Sequence, residues 1–299
     1  MNSQQYNLNR QTLPIVMSGL ANFFLGASSL YWRELSEVPP TTLVAYRIIL
    51  SAAIITPFIL LFRHSTRMSI FKPKTLILHS TASIFLAANW GAFIWSSING
   101  QLLASGIGYL LAPFISVALG VALYSEEIKK TEIVSICIAL TSITFLIILT
   151  ENLNHWIYLS ISLTWGAYTY LKKASHLDAV NGTFIETLFL TACLTLTLWL
   201  FDFTISPPDK LTSQSTRLIW LSGAVSITPL VLFSFATGKI PLTLTGLLQF
   251  ILPLTLITIS LITSKLQFPR TTLTILIISI ITLITFIAYD SITKKANTK

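Results

Sequence analysis

Charged residues are scarce in this chain. Lysine, arginine, aspartate and glutamate make up 10% of its 299 residues, against about a quarter in a typical soluble protein. Hydrophobic residues make up 53%, and the mean hydropathy is +0.75. A soluble fold of this size would leave large apolar patches in water. The scarcity of charge therefore excludes a soluble domain and predicts an integral membrane protein whose main partner is the lipid bilayer.

The motifs of several enzyme classes are missing as well. There is no GxxxxGK[ST] loop for ATP and no HExxH pair for zinc. The four His fall near the ends of apolar runs, so none is deep enough to activate a Ser in an intramembrane protease. Cys137 and Cys193 stand alone in apolar segments, which favours packing over a disulfide or a metal site. We expect no enzymatic activity, no cofactor and no metal.

The net charge of +8 does not indicate a nucleic-acid partner. The basic residues stand singly or in short groups between apolar runs and form no basic face. If the N-terminus is cytoplasmic, 13 of the 19 basic residues lie on the cytoplasmic side and 5 on the other, with Arg47 inside a span. This asymmetry predicts that both termini are cytoplasmic, as in a multi-pass protein of a bacterial inner membrane.

Apolar runs of membrane-spanning length follow one another along the whole chain. A transmembrane helix needs about 20 such residues, and charges or clusters of Pro, Gly and Asn separate the runs. The predicted fold is an all-α membrane protein with ten spans joined by short connections. The spans are 13–31, 41–62, 75–97, 101–124, 131–150, 156–171, 180–201, 216–237, 242–262 and 271–289.

An offset of 140 residues aligns features of the two halves without a gap. We therefore predict two related domains, 1–150 and 151–299, with five spans each. Because five is odd, the second half enters the membrane inverted, an arrangement that recurs in transporters with a site between the halves. The aligned pairs are Gly26 with Gly166, Phe93 with Phe233, Ser105 with Thr245, Tyr109 with Gln249, and Pro113 with Pro253.

The prolines of spans four and nine predict a polar site near the middle of the membrane. A proline inside a helix cannot bond the carbonyl four residues earlier, and those carbonyls belong to Tyr109 and Gln249. We predict helix breaks at Pro113 and Pro253 that border one shared, substrate-binding cavity. The alternative is a kink that serves packing alone.

Two charges lie inside predicted spans, Arg47 and Glu186. A charge in a span is costly unless it is paired or wet, so a functional role is the default interpretation. We predict that Arg47 binds an anionic group of the substrate and that Glu186 couples protons or binds a cation. Glu186 has no evident cation at its depth, and a depth difference of about 12 Å argues against its pairing with Arg47. The alternative for both is a shallow position with the charge reaching the surface.

Span three contributes the unusual pair Asn89 and Trp90. A buried amide must be hydrogen-bonded, and large indole rings can wall a cavity. The predicted substrate-binding residues are Arg47, Asn89, Trp90, Tyr109, Trp165 and Gln249.

Six segments together resemble the RarD-type branch of the EamA family, in the drug/metabolite transporter superfamily. They are LYWREL at 30–35, AYRIILS at 45–51, the stretch 89–120, IETLFL at 185–190, TPLVLF at 228–233 and LTGLLQFILP at 244–253. The resemblance implies ten helices in two inverted EamA-like repeats around a central cavity. The chain departs from the family pattern at Ser28-Ser29, at Phe250 and at 264–266. Superfamily substrates include amino acids, nucleotide sugars, drugs and S-adenosylmethionine.

The resulting functional prediction is a secondary active transporter that works by alternating access. Its substrate would be a small polar or amphipathic metabolite, resembling an amino acid or S-adenosylmethionine, or an exported drug. A passive channel, a membrane-embedded enzyme and a non-transporting scaffold are the alternatives, and a homodimer stays open.

Overall fold

A computed structural model describes residues 3–62, 72–125, 130–150, 153–201, 204–207 and 210–263. Within these ranges the chain is all-α, without β-strands, and the predicted tenth span, 271–289, lies outside them. The described helices are α1 Ser3–Glu34, α2 Pro40–Phe62, α3 Pro73–Ile98, α4 Leu102–Tyr124, α5 Lys130–Leu149, α6 His155–Ala174, α7 Ala179–Leu200, α8 Ser213–Ile219, α9 Ser222–Thr237, α10 Leu242–Leu248 and α11 Ile251–Thr263.

Six segments of the described chain are long and apolar enough to cross a membrane. They are Thr12–Glu34, Pro40–Leu61, Pro73–Ile98, Leu102–Tyr124, Ala179–Leu200 and Ser213–Thr237. Shorter apolar helical stretches are Ile136–Ile148 and Leu244–Ser260. The all-α membrane class is therefore confirmed, and helices overlap nine of the ten predicted spans.

Local sequence signals account for where several helices begin. Pro40 and Pro73 open α2 and α3, where the missing N–H of proline removes no helical bond. The Asp178 carboxylate caps α7 by accepting from the N–H groups of Val180 and Asn181. The Asn154 side chain caps α6 in the same way, accepting from the Ile157 N–H at 3.2 Å.

The prolines of spans four and nine behave differently from the prediction. Helix α4 runs through Pro113 without interruption, so a break there is wrong. Span nine is interrupted at Gln249 and Phe250, between α10 and α11, and Pro253 is the third residue of α11. The Gln249 carbonyl is not left free, because it accepts from the Leu252 N–H at 3.1 Å. A proline in the first turn of a helix lacks only a bond that the turn does not need.

Close approaches at Gly26 and Gly166 match each other across the two halves. A Cβ at Gly26 on α1 would lie 2.8 Å from the Thr255 Cβ on α11. A Cβ at Gly166 on α6 would lie 2.8 Å from the Ile115 Cβ on α4. Adding 140 to Gly26 and subtracting 140 from Thr255 converts the first contact into the second. Only glycine permits helices to approach so closely.

The offset of 140 residues also relates the contacts between helix α4 and span nine. A Cβ at Gly106 would lie 3.3 Å from the Ile257 Cγ1, and a Cβ at Gly246 would lie 3.3 Å from the Val117 Cγ2. The offset of 140 again exchanges the two contacts. The helices that pack on α1 and on α6 are related by the same offset. Helix α1 packs on α9 and α11, and α6 packs on their counterparts α3 and α4. The contacts of Gly26 and Gly106 with the second half therefore have equivalents in the contacts of Gly166 and Gly246 with the first half.

Candidate functional site

Arg47, the eighth residue of α2, is buried with 2% of its surface exposed. Its guanidinium carbon lies 3.9 Å from the centroid of the Trp90 ring and 5.2 Å from that of Trp32. The Nε and Nη1 atoms have no hydrogen-bond partner, and no carboxylate pairs with the side chain within the described ranges. The interior position predicted for Arg47 is confirmed, and the surface-reaching alternative is excluded.

The contacts with the two aromatic rings offset only part of the free energy that burial of the Arg47 charge costs. A desolvated cation–π contact contributes about 2 kcal/mol, whereas burial of an ion costs several kcal/mol. An anion that accepts hydrogen bonds from the open edge of the guanidinium would supply the remainder, because planar carboxylates match its fork of N–H groups. Arg47 therefore has the chemistry to bind an anionic group.

Asn89 connects three helices beside this cation. The Tyr109 hydroxyl on α4 donates to the Asn89 Oδ1 at 2.8 Å. The Asn89 Nδ2 donates to the Thr164 Oγ1 at 3.2 Å on α6. The ring of Tyr109 also stands edge-on to that of Trp165, at 5.9 Å between centroids. These bonds fix the Tyr109 ring between α3 and α6, and they use the polar atoms of Asn89 for structure.

Gln249 reaches the same helix from the other side. Its Nε2 donates to the Thr169 Oγ1 at 2.8 Å, while its Oε1 has no partner within the described part of the chain. Trp165 and Thr169 are one turn apart on α6, about 6 Å along the axis. The structure thus brings Tyr109 and Gln249 to adjacent turns of one helix, and both side chains are buried.

Trp165 lies at the centre of an aromatic cluster. Its ring stacks on Tyr168 at 5.5 Å and contacts Phe233 at 5.0 Å, in addition to Tyr109. Its Nε1 has no hydrogen-bond partner in the described chain. The cluster joins the Tyr109 region to Tyr168, and Tyr168 leads to the second buried charge.

Glu186 is fully buried on α7 and is paired with two basic side chains. Its Oε1 lies 2.7 Å from the His79 Nδ1 and 3.0 Å from the Lys172 Nζ. Its Oε2 accepts from the Tyr168 hydroxyl at 3.1 Å. The expectation that no cation lies near Glu186 is wrong. Predicted span six ends at residue 171, but α6 continues to Ala174 and carries the charge of Lys172 inward.

The ends of the bundle differ in structure. The "cavity end", which contains connections 35–39 and 99–101 and residues 204–207 and 210–212, holds a cavity of about 570 Å³. Arg33 lines this cavity and directly follows Trp32, which contacts Arg47. At the "Lys172 end", which contains connections 175–178 and 238–241, the Lys173 Nζ donates to the Ile240 carbonyl at 2.7 Å. That bond and the contacts of Glu186 tie helices together.

Comparisons with known proteins agree with this architecture. The EamA-like transporter family signature matches residues 12–148. RarD of Streptomyces exfoliatus is 28% identical over 232 residues, which are 76% of this chain and 73% of that protein. A Pseudomonas aeruginosa protein described as an uncharacterized transporter is 27% identical over 76% of this chain and 77% of its own length. RarD of Escherichia coli is 23% identical over 82% of this chain and 83% of its own.

A solved protein structure shares the fold. It superposes with a TM-score of 0.65 and 17% sequence identity, covering 93% of this chain and 99% of the other. Residues 12–148 match the EamA-like transporter family, and the chain as a whole is similar to the RarD proteins.

Proposed function

We propose that this membrane transporter carries a small metabolite that bears a carboxylate or a similar anionic group, by secondary active transport. The observation that carries the proposal is the buried guanidinium of Arg47, which contacts two indole rings and pairs with no carboxylate among the described residues. Trp90, Asn89, Tyr109, Trp165 and Gln249 would line the binding region. A substrate of this kind would satisfy Arg47 with its anionic group and pack its apolar part on the aromatic cluster.

The proposed architecture is ten helices in two inverted repeats, 1–150 and 151–299. The exchanged glycine contacts support it, because a two-fold relation between the halves generates paired contacts of this kind. The protein would lie in a bacterial cytoplasmic membrane with both termini in the cytoplasm, as the distribution of Lys and Arg favours.

Alternating access is the mechanism that we propose. The cavity at one end and the cross-linked helices at the other support a state that is open on one side of the membrane. Transport would require the Lys172 end to open after the substrate has bound near Arg47. In transporters with inverted repeats, alternating access usually arises when one repeat rocks against the other around the site.

Uptake into proteoliposomes tests the function directly. Amino acids and S-adenosylmethionine would each be compared with the decarboxylated analogue. We expect saturable uptake and counterflow for at least one carboxylated compound, and at least a tenfold loss on decarboxylation, about 1.4 kcal/mol. Arg47→Lys should impair this uptake because it loses the fork geometry. Equal uptake of both members of every pair would refute the anion site.

Exposed Arg217 provides the matched control, since Arg217→Lys changes the same residue type away from the interior. Counterflow also separates a carrier from a passive channel. A channel would give linear, non-saturating uptake and no accumulation of labelled substrate against its gradient.

A further inference from the structure

His79 bridges buried and half-exposed groups at the Lys172 end. Its Nδ1 lies 2.7 Å from the Glu186 Oε1, and its Nε2 lies 2.9 Å from the Ser175 Oγ. Ser175 is half-buried in the connection between α6 and α7. Lys172 bonds to the same carboxylate, but within the described chain it makes no hydrogen bond to a half-exposed group such as Ser175. The imidazole is thus the link between the buried carboxylate and the edge of the protein.

The hydrogen bonds of His79 fit a neutral ring that carries its proton at Nδ1. A carboxylate can only accept, so the Nδ1 of His79 carries a proton and donates it to Glu186. The Ser175 Oγ already accepts from the Leu177 N–H at 3.1 Å. The Ser175 hydroxyl can donate to the Nε2 of His79, which is then the unprotonated nitrogen of a neutral ring. One further proton can bind at that Nε2.

We propose that His79 is the proton-binding site that couples transport to the proton gradient. This inference rests on the proposed function. A proton from the aqueous side reaches the Nε2 of His79 by way of the Ser175 hydroxyl, and the Nδ1 proton stays in its bond to the Glu186 Oε1. The neutral imidazole becomes an imidazolium, the Glu186 carboxylate keeps its charge, and one proton has entered the cluster.

The proton changes the forces that hold this end together. With His79 neutral, the charges of Lys172 and Glu186 cancel. An added proton leaves the buried cluster with one net positive charge, which low-polarity surroundings disfavour. The imidazolium also repels the Lys172 ammonium, which bonds to the same Oε1 of Glu186 and joins α6 to α7. Both effects favour separation of the helix ends and entry of water, so proton binding opens the Lys172 end.

The surroundings of His79 fix its position and limit the competing groups. A Cβ at Gly182 would lie 2.8 Å from the His79 Cε1 and 3.3 Å from the Lys172 Nζ, so α7 presses closely on the ring. The Asp178 carboxylate is engaged at the start of α7. Ionisable side chains described on elements packed against α3 are His155, Tyr158, Tyr168, Tyr170, Lys172 and Lys173 on α6, Glu186, Cys193 and Asp178 at α7, Arg47 and Tyr46 on α2, Tyr31, Arg33 and Glu34 on α1, and Tyr109 and Tyr124 on α4.

Hydrogen–deuterium exchange of the protein in lipid nanodiscs tests the proposal without a substrate. Peptides covering residues 170–182 would be followed between about pH 5 and pH 8, after correction for the intrinsic exchange rate. We expect at least threefold faster exchange at low pH in the unmodified protein. His79→Asn keeps a donor for Glu186 but cannot bind a proton, so it should abolish the pH response. His176→Gln, an exposed His in the same connection, should preserve it.

The proposal is wrong if His79→Asn retains the pH response, or if the unmodified protein has none. If His79→Asn does not fold, Glu186→Gln provides the second test, because an uncharged partner should give fast exchange at every pH. Counterflow in proteoliposomes separates this inference from the proposed function. Substrate counterflow that occurs without any pH response would leave the transporter in place and refute proton binding at His79, whereas a pH response without transport would refute the function.

Discussion

Arg47 and Glu186 are both charges buried in apolar helices, but their surroundings are opposite. Arg47 has two ring faces, and its Nε and Nη1 have no partner in the described chain. Both oxygens of Glu186 are bonded, to His79, Lys172 and Tyr168. Burial is the same in the two cases, so burial does not identify a binding site. The hydrogen-bond partners distinguish the two charges: Glu186 cross-links helices, and we propose that Arg47 is available to a ligand.

The two charges also occupy corresponding places in the halves. Each is the eighth residue of its helix, about 10 Å from the start at 1.5 Å per residue. The offset of 140 residues aligns Arg47 with Thr187, the neighbour of Glu186, and it aligns Trp32 with Lys172. Because α2 begins at the cavity end and α7 at the Lys172 end, equivalent positions carry different chemistry at opposite ends of the bundle.

The largest expected difference between the two charges is in stability. Glu186→Leu should lower the free energy of unfolding by about 3–5 kcal/mol, because Lys172 is left buried without its carboxylate. Arg47→Met should be close to neutral, since no described carboxylate loses a partner. Thermal unfolding in detergent, followed by size-exclusion chromatography, measures both. Similar losses for the two variants would contradict the comparison.

A double variant sharpens this result. Adding Lys172→Met to Glu186→Leu removes the stranded cation, and we expect it to restore more than half of the lost stability. Such recovery is the sign of direct coupling between two side chains. If the double variant is as unstable as the sum of the two single ones, Glu186 acts through His79 and Tyr168 instead.

Sequence reasoning found the two charges but not their surroundings. A charge in an apolar run is visible in the sequence, and so are the long runs that became helices. The sequence places Lys172 in a cytoplasmic connection, because Lys near a span end is typical of one, but three more residues of helix turn it inward. His79 lies near the start of predicted span three, and a His near a span end does not indicate a buried partner for Glu186. Whether a charge is paired depends on contacts between distant helices, which no local pattern specifies.

The second expected effect concerns ligand selection. Arg47→Met should bind carboxylated and decarboxylated compounds equally, because the group that distinguishes them is gone. The unmodified protein should prefer the carboxylated member by at least tenfold. Quenching of the indole fluorescence, to which Trp32 and Trp90 contribute, provides the measurement. Retention of the preference in Arg47→Met would assign the anion to another cation.

The Nε2 and Oε1 atoms of the Gln249 amide differ in their partners, so their contributions can be compared. Gln249→Leu and Thr169→Val each remove the bond between Nε2 and Oγ1, so each should cost about 1 kcal/mol of stability. Only Gln249→Leu also removes the unpartnered Oε1. We therefore expect weaker substrate binding in Gln249→Leu than in Thr169→Val, measured by the same quenching. Equal binding in the two variants would make Gln249 a packing residue.

The smallest expected effect separates the two rings beside Arg47. Trp90 lies 3.9 Å from the guanidinium carbon and Trp32 lies 5.2 Å away, so Trp90 holds the cation more closely. Trp90→Phe keeps an aromatic face but weakens the cation–π contact by about 1 kcal/mol, because indole is the strongest of the natural ring partners. The guanidinium is then less well oriented for an anion, and we expect about a fivefold loss of affinity for the carboxylated ligand. Trp32→Phe should cost less than twofold, because its ring is farther away. Titration of both variants with the same ligand decides the order. A larger effect at Trp32 would mean that the anion approaches from the cavity end between Trp32 and Arg47, since the unpartnered Nε1 of Trp32 could then donate to it directly.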